Sequence, residues 1–332
     1  MKIFDIRPPK LRVLTRQMEE KMGKTIHELL HEPCGVITAK KQLAPLIYEL
    51  TIYAPAVVHN AEPGQFVIVY ARDEKSKPIP LTIADSDKEL GTITLVVQAV
   101  KAGTMKLLTM DVGETFYSLQ GPLGHPSEIK KYDGTIVCVA GGVGIAPMYP
   151  VVRALKEAGN KILVVLGARE ERFLFWEEKI RPYADWTTVC IEKEPVACNR
   201  TPGFVTPYLE YYLERNLDSV SHVIAAGPLG MLNAISKITK PRGVEFVASA
   251  VSHMLDGTGM CGGCQCNVGS DTILLCQKGP EIDGNLADWD TLGARLNGLR
   301  KKEDEYLAEF KANDPLYQKF LAQEAAFKGG AE

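Results

Sequence analysis

Nowhere in this chain is there an unbroken apolar run of the ~18 residues that a membrane-crossing helix needs. A lysine/arginine block is missing too. The 38 basic residues face 41 acidic ones, and a net charge of −3 gives no reason to expect nucleic acid as a partner. The opening segment MKIFDIRPPKLRVL lacks the continuous apolar core of a secretory signal, because charges interrupt it. No paired carboxylates and no Ser/His/Asp arrangement stand out, so bound groups rather than side chains are expected to carry any chemistry. Together these absences lead to the expectation of a cytoplasmic protein without a membrane span. Its 332 residues suit about two or three domains, and 45% hydrophobic residues suffice for ordinary cores.

Cysteine, by contrast, is plentiful. There are 8, and without a secretory signal they point to a reducing compartment and away from disulfides. Cys34, Cys138, Cys190 and Cys198 are scattered at no ligand spacing, and Cys138 lies in an apolar strand. The others crowd into DGTGMCGGCQC and a later Cys276. Read as ligands, Asp256, Cys261, Cys264 and Cys276 form D-x4-C-x2-C-x11-C, the plant-type ferredoxin spacing with aspartate in the first place. Glycines between them let the backbone curl around a small cluster and aim N–H groups at sulfur. This favours a [2Fe–2S] cluster. A zinc site on Cys261, Cys264, Cys266 and Cys276 is the alternative, although C-x2-C-x-C is tight for a zinc knuckle and no separated second C-x2-C pair follows.

Five segments are expected. Residues 1–35 are an N-terminal extension with an amphipathic helix across Gln17–His31. Residues 36–130 hold short β-branched and aromatic runs (KQLAPLIYELTIYAP, GQFVIVYA, IPLTIAD, GTITLVVQAV) set apart by turn residues, as in a closed antiparallel barrel. Residues 131–248 alternate strand and helix, including a helix over ERFLFWEEKI, and predict a parallel doubly wound sheet. Residues 249–290 carry the cysteine loop. Residues 291–332 read as charged helices too polar for a core of their own, which must pack on the body or on another chain.

Within the third segment, Gly141-Gly142-Val143-Gly144-Ile145-Ala146-Pro147 joins a strand to a helix. The turn resembles G-x-G-x-x-G with proline last. Gly144 is read as letting backbone approach a ligand, and the following helix N-terminus favours a pyrophosphate. Pro147 suits a first helical turn, where its missing N–H is no loss. Gly167-Ala168-Arg169-Glu170 and Gly227-Pro228 with Met231 follow two further strands, where ligands of open parallel sheets bind. Arg169 suits a 2′-phosphate and Glu170 a ribose hydroxyl pair; their adjacency tilts the reading to NAD(H) over NADP(H).

The order of barrel, glycine-turn domain and ferredoxin-type loop resembles the ferredoxin–NADP reductase superfamily with a C-terminal iron–sulfur lobe. IPLTIAD, GGVGIAP, LGARE, AAGP and DGTGMCGGC…GPEIDG carry the likeness, over roughly residues 37–289. The chain looks like the electron-transfer subunit of class B dihydroorotate dehydrogenase. It looks still more like the small subunit of electron-bifurcating NADH-dependent ferredoxin:NADP oxidoreductases, in which aspartate takes the first ligand place. The resemblance implies an FAD- and [2Fe–2S]-containing NAD(P)H oxidoreductase subunit. Its electrons would pass to or from a larger flavin/iron–sulfur partner and, through that complex, ferredoxin. It also implies FAD contacts at Ile79-Pro80-Leu81-Thr82, Val96-Val97-Gln98 and Gly103-Thr104. Ile79 stands where the family has an arginine for the pyrophosphate, leaving Lys77 or Lys101 as substitute point charges. A zinc-stapled, non-enzymatic interaction module on the same fold is the alternative of another class.

Overall fold

A computed structural model of the chain describes residues 35–193 and 198–328. The helix expected across Gln17–His31 lies outside the described residues. The first sheet is built from β1 (Val36–Ala44), β2 (Ile47–Tyr53), β3 (Phe66–Tyr70), β4 (Ile79–Asp87), β5 (Thr92–Gln98) and β6 (Ser118–Leu123). Two short helices, α1 (Pro55–Asn60) and α2 (Ala102–Leu108), sit in its connections. Strand order is β1-β2-β5-β4-β3-β6, every pairing antiparallel. Backbone bonds from the residues before β6 reach β1 (Ile37 N–H to Glu114 O, 2.9 Å; Gly113 N–H to Ile37 O, 2.8 Å), and the sheet closes on itself. Closure leaves no open edge and gives Ile37, Leu50, Ile52, Val67 and Leu95 a common, sealed interior. The run KQLAPLIYELTIYAP is therefore not one strand but a hairpin, turned at Leu46, whose φ is +63°.

Beyond the barrel come β7 (Thr135–Gly141), α3 (Ile145–Glu157), β8 (Lys161–Ala168), α4 (Glu177–Ile180), β9 (Trp186–Ile191), β10 (Thr201–Pro202), α5 (Val205–Asn216), β11 (Val220–Ala226), α6 (Leu229–Thr239) and β12 (Glu245–Ser249). A lobe follows with β13 (Gln265–Val268), β14 (Asp271–Leu274), α7 (Leu275–Lys278) and β15 (Glu281–Asp283). The larger sheet runs β10-β9-β8-β7-β11-β12-β15, parallel except for β15. β7 lies centrally, with β8 on one side and β11 on the other, so the glycine turn leaves from the topological switch point. Over ERFLFWEEKI only α4 is α-helical, because Trp176 adopts φ +57°. Its ring is held by one distant and one local partner: Nε1 donates to Glu49 of β2 at 3.0 Å, and the Lys179 ammonium sits 3.9 Å from its centroid.

The barrel and the parallel sheet meet through α3, which packs on β4. Asp85 of β4 accepts from Arg153 of α3 at 2.8 Å and pairs with Lys179 at 2.7 Å. The last helices, α8 (Trp289–Gly298), α9 (Arg300–Asn313) and α10 (Pro315–Lys328), pack on the body of this same chain. Phe310 and Phe320, each 2% exposed, enter the barrel's core cluster. Glu324 is buried too, and it accepts from Tyr48 Oη (2.5 Å), Gln42 Nε2 (3.0 Å) and the Leu46 N–H (3.3 Å). That last bond supports the left-handed residue of the β1–β2 turn.

Candidate cofactor sites

The cysteine loop is pressed onto the barrel. Gly257 has φ +69°, and a Cβ there would lie 2.5 Å from Leu123 of β6 and 3.0 Å from Ile68 of β3. Tyr70 of β3 donates to Leu255 O at 2.9 Å, and the His125 N–H donates to Gly279 O at 2.6 Å. The loop thus starts and ends on β3, which pairs with β4, and on β6, the strand beyond it.

Within it the expected ligands are joined in pairs. The Asp256 carboxylate accepts from the Thr258 and Gly259 N–H groups on Oδ1 (2.8 and 3.2 Å) and from the Cys261 N–H on Oδ2 (2.7 Å). Those amides, the Thr258 bond foremost, together with the Cys261 thiol, hold its proton affinity below the ordinary carboxylate range. Cys264 and Cys276 form the second pair, the Cys276 N–H reaching Cys264 Sγ at 3.4 Å. Burial, then the Cys264 contact and the Asp256 charge, push the Cys276 thiol up. The four donors divide into an outer pair, partly exposed Asp256 and exposed Cys261, and a buried pair, Cys264 and Cys276. Among the described residues no three His, Cys, Asp or Glu side chains already converge into a metal-coordinating group. Even so, the donor set fits a sulfur-rich cluster: Asp256 acts electrostatically on Cys276, linking the two pairs, and N–H groups point at sulfur (Gly263 to Cys261 Sγ, 3.5 Å). Cys266 stands apart on β13. Burial first, then the charges of Asp288 and Arg295 beside α8, act on it.

Residues expected at the nicotinamide nucleotide converge at the carboxyl ends of β7, β8 and β11. Gly142, with φ +56°, has nothing within 4 Å of its absent Cβ, so the crest of the turn is open. Gly144 differs from expectation. A Cβ there would lie 2.1 Å from Ala226 O, so its smallness serves the packing of β7's turn against β11's end. Gly227 and Met231 close the same corner (Cβ to Met231 Cε, 2.6 Å), with Pro228 beside Gly141. Val143 is partly exposed, Ala146 is buried in the first turn of α3, and Pro147 after it lines a small cavity. Gly167 pairs with Gly141 across the strands. Arg169 is exposed, whereas Glu170 is held by Arg172 at 2.8 Å.

The expected FAD residues lie along the barrel rather than in one cluster. Ile79, Pro80, Leu81 and Thr82 pair with Val69, Ile68, Val67 and Phe66 of β3. Ile79 meets Gly103, whose Cβ would lie 3.7 Å from its Cδ1. Val96 and Val97 are buried, Val97 at 0% exposure, so only Gln98 of that trio offers a side chain outward. The Thr104 hydroxyl is occupied in the first turn of α2, accepting from the Val100 and Lys101 N–H groups at 3.2 Å each. The lysines expected to stand in for the arginine have partners from α9: Lys101 pairs with Glu303 at 2.5 Å and Lys77 sits over Tyr306. Sequence reading missed this tail contact, since nothing local in 291–332 names the barrel as its seat.

Two family profiles match the chain: the oxidoreductase NAD-binding domain over residues 138–237, and the iron–sulfur cluster binding domain of dihydroorotate dehydrogenase B over residues 252–287. An uncharacterised protein of Clostridium beijerinckii is 38% identical over 274 residues, covering 81% of this chain and 91% of that one. A dihydroorotate dehydrogenase B (NAD(+)) electron transfer subunit homolog of Thermotoga maritima is 37% identical over 268 residues, covering 80% and 92%. A solved structure of an NADH-dependent reduced ferredoxin-NADP oxidoreductase, described for flavin-based electron bifurcation, superposes with TM-score 0.76 at 35% identity, covering 84% of this chain and 98% of its own. An Amycolatopsis cytochrome P450 reductase (TM-score 0.54, 19% identity, 63% and 65% covered) shares the fold.

Proposed function

This chain belongs to the family of dihydroorotate dehydrogenase B electron-transfer subunits and their homologues, and we propose that it serves a larger flavin/iron–sulfur subunit in an electron-bifurcating ferredoxin:NAD(P) complex. It is an NAD(P)H-dependent oxidoreductase subunit that uses FAD and a [2Fe–2S] cluster. When bound, these groups take a hydride's electron pair from the nicotinamide and relay it as single electrons through iron and sulfur to or from the partner. The protein's own part is to hold, space and shield them.

Asp256, Cys261, Cys264 and Cys276 would hold the cluster, and β4 with the first turn of α2 would hold the flavin. The turn at Gly142 with Gly227 and Pro228 would hold the nucleotide, with NAD(H) preferred over NADP(H). One observation carries the reading most: the donor loop sits against β3 and β6, through Gly257 on Leu123 and Tyr70 on Leu255, beside the strand expected to face the flavin. Asp85 between Arg153 and Lys179 fixes β4 to the helix after the nucleotide turn, and β3, on which the donor loop rests, pairs with that same β4; this adjacency supports the reading. Val251 (63% exposed), Leu255 (52%) and Met260 (90%) rim the loop with apolar surface suited to a partner subunit. No helix among the described residues is long and apolar enough to cross a membrane; a cytoplasmic location accords with that and belongs to the proposal.

Anaerobic purification tests this. Iron, acid-labile sulfide and FAD in stoichiometric amounts, with flavin bleached by NADH, are the expected outcome. A colourless protein holding zinc would instead support the interaction-module alternative. Asp256 in the first ligand place favours the bifurcating complex over a dihydroorotate dehydrogenase; co-purification of a dihydroorotate dehydrogenase would reverse that preference.

A further inference from the structure

Glu281 is a carboxyl group that the electron path just described leaves without a task. It opens β15, directly after the segment that carries Cys276, and pairs in register with Ser249 of β12. Ser249 pairs with Ala226 of β11, and Ala226 with Ala140 of β7. Glu281 therefore lies on the row from which the nucleotide turns leave, at the carboxyl end of the sheet. The barrel side covers it: Ser127, 9% exposed, donates from Oγ to Glu281 at 2.7 Å, and Ser127 itself is clamped against Gly64. A cavity of about 10 Å³, enough for one water centre, opens beside the carboxylate between Gly64, Pro147, Ala226 and Ser249. Barrel, nucleotide sheet and cluster lobe all meet at this one acid.

The residue as a whole is partly exposed, but its carboxyl group is enclosed, and that burial raises its proton affinity against the opposing effects of Ser127 and His125. The other titratable groups in its field are Tyr132 and Cys138, both of which it makes harder to ionise. From α3 the cavity is lined by Pro147, Met148 and Val151, which carry no charge. The link to the cluster loop is short and pinned: Gly279 N–H bonds to Leu275 O (3.1 Å) and Ala250 N–H to Pro280 O (2.9 Å). Four residues stand between Cys276 and Glu281, so their Cα atoms, five steps apart along the chain, lie at most ~18 Å from each other. For charges separated by about that distance, at an effective dielectric near ~20, one added negative charge would raise a proton affinity by about fivefold, and by more at a shorter separation.

We infer that Glu281 is a protonation site coupled to reduction: when an electron comes to rest on the cluster, the Glu281 carboxylate gains affinity for a proton and the population of protonated Glu281 rises by uptake from solvent, and it falls again when the electron leaves for the partner. Proton uptake then offsets part of the charge that the electron brings to the junction. The electron originates in the nicotinamide hydride. This rests on the proposed cluster.

Reciprocity sets the sign. Where the oxidised protein has an ionised Glu281 and the reduced protein a neutral one, the cluster potential falls as pH rises. Because burial raises the carboxyl's affinity, that window lies above the ordinary glutamate range. The test is an EPR-monitored redox titration of the full-length cluster-loaded protein between about pH 5 and 10, joined to redox-difference infrared spectroscopy. In the wild type we expect a pH-dependent potential and a protonated-carboxyl band appearing on reduction. In Glu281→Gln, which keeps the shape and the Ser127 contact, the slope across that window and the band should both vanish. In Ser127→Ala the window should move to higher pH, since the hydroxyl stabilises the ionised form. A slope unchanged in Glu281→Gln would overturn the inference, as would a wild type without the carboxyl band; the band needs no variant to fold. A wild type that shows no cluster signal after reconstitution would instead remove the proposed function, and this inference with it.

Discussion

Asp85 and Arg153 join two sheets that share no strand: the Arg153 guanidinium of α3 donates to the Asp85 carboxylate of β4 at 2.8 Å, with Lys179 completing the contact from the other side. Burial pushes the Asp85 carboxyl up, but the Lys179 hydrogen bond and both cations outweigh it, and its affinity for protons ends below the ordinary range. The stabilisation it contributes is therefore complete above the unfolded carboxyl's pKa of ~4 and is lost as pH falls through the lower folded value. Asp85→Asn should cost about 1–2 kcal/mol near neutrality, with a smaller loss of stability on acidification than in the wild type. Denaturant melts of both proteins at neutral pH and at about pH 3 measure this; parallel acid losses would show that Asp85 carries no net charge stabilisation.

The cysteines make a sharper prediction. Cys276 is 1% exposed and its N–H is hydrogen-bonded to Cys264 Sγ, whereas the Cys266 thiol lies against Asn267 O. Cys276→Ser should abolish or cripple the cluster, and Cys266→Ser should leave its visible and EPR spectra intact. Bleaching by Cys266→Ser would mean that the ligand set includes it.

At the nucleotide turn two glycines should respond differently. Gly142→Ala puts a methyl into open space at φ +56° and should cost roughly 1–2 kcal/mol of backbone strain while weakening NADH binding. Gly144→Val forces side-chain atoms against Ala226 O and should destabilise the fold itself, lowering FAD and nicotinamide occupancy together. Isothermal titration beside thermal melts separates the two. Gly144→Val with an unchanged melting curve and selective loss of nucleotide would restore the ligand-approach reading.

What could be read from the residues in order was what is local in the chain. A glycine turn between an apolar strand and an amphipathic helix, and donors a few residues apart on a glycine-rich loop, state their geometry within one short window. Long-range requirements left no such mark. Gly144 looks like a ligand-facing glycine until the end of β11 is seen against it. Trp176 sits in a helical pattern until Glu49 takes its indole N–H. Ile79 departs from the family's arginine, and the two lysines nearest in sequence and function prove to be engaged by Glu303 and Tyr306 of a helix more than half the chain away. Glu324 reads as one charge among many in a polar tail, yet it is buried against Tyr48.

That tail should matter for the barrel. Phe320→Ala removes a fully packed ring from the barrel's core cluster and should cost about 3–5 kcal/mol. Glu324→Ala leaves the Tyr48 hydroxyl and the Leu46 N–H without their partner and should cost about 1–3 kcal/mol. Chemical denaturation measures both, and losses under about 0.5 kcal/mol, the scale of an ordinary surface change, would mean that the tail only rests on the barrel.

Asp256 separates a structural aspartate from a ligand. Its three backbone hydrogen bonds alone could justify an aspartate here, as the cap of a glycine-rich turn, with no iron involved. A carboxylate oxygen has lone pairs to spare after accepting an amide, so those bonds and metal ligation are compatible in the same side chain. The two roles diverge on substitution. Asp256→Asn keeps one oxygen for the Thr258 and Gly259 amides but loses the charge; a turn cap tolerates that, whereas an iron site loses an anionic donor. Asp256→Cys weakens the turn but supplies the thiolate of an all-cysteine set. If Asp256 is a ligand, Asp256→Cys should retain a cluster with an altered EPR signature and potential, since thiolate donates more charge to iron than oxygen does, and Asp256→Asn should load iron poorly. Identical spectra and potentials in the wild type and Asp256→Cys, with full iron in Asp256→Asn, would leave Asp256 as a turn residue and require a different fourth ligand.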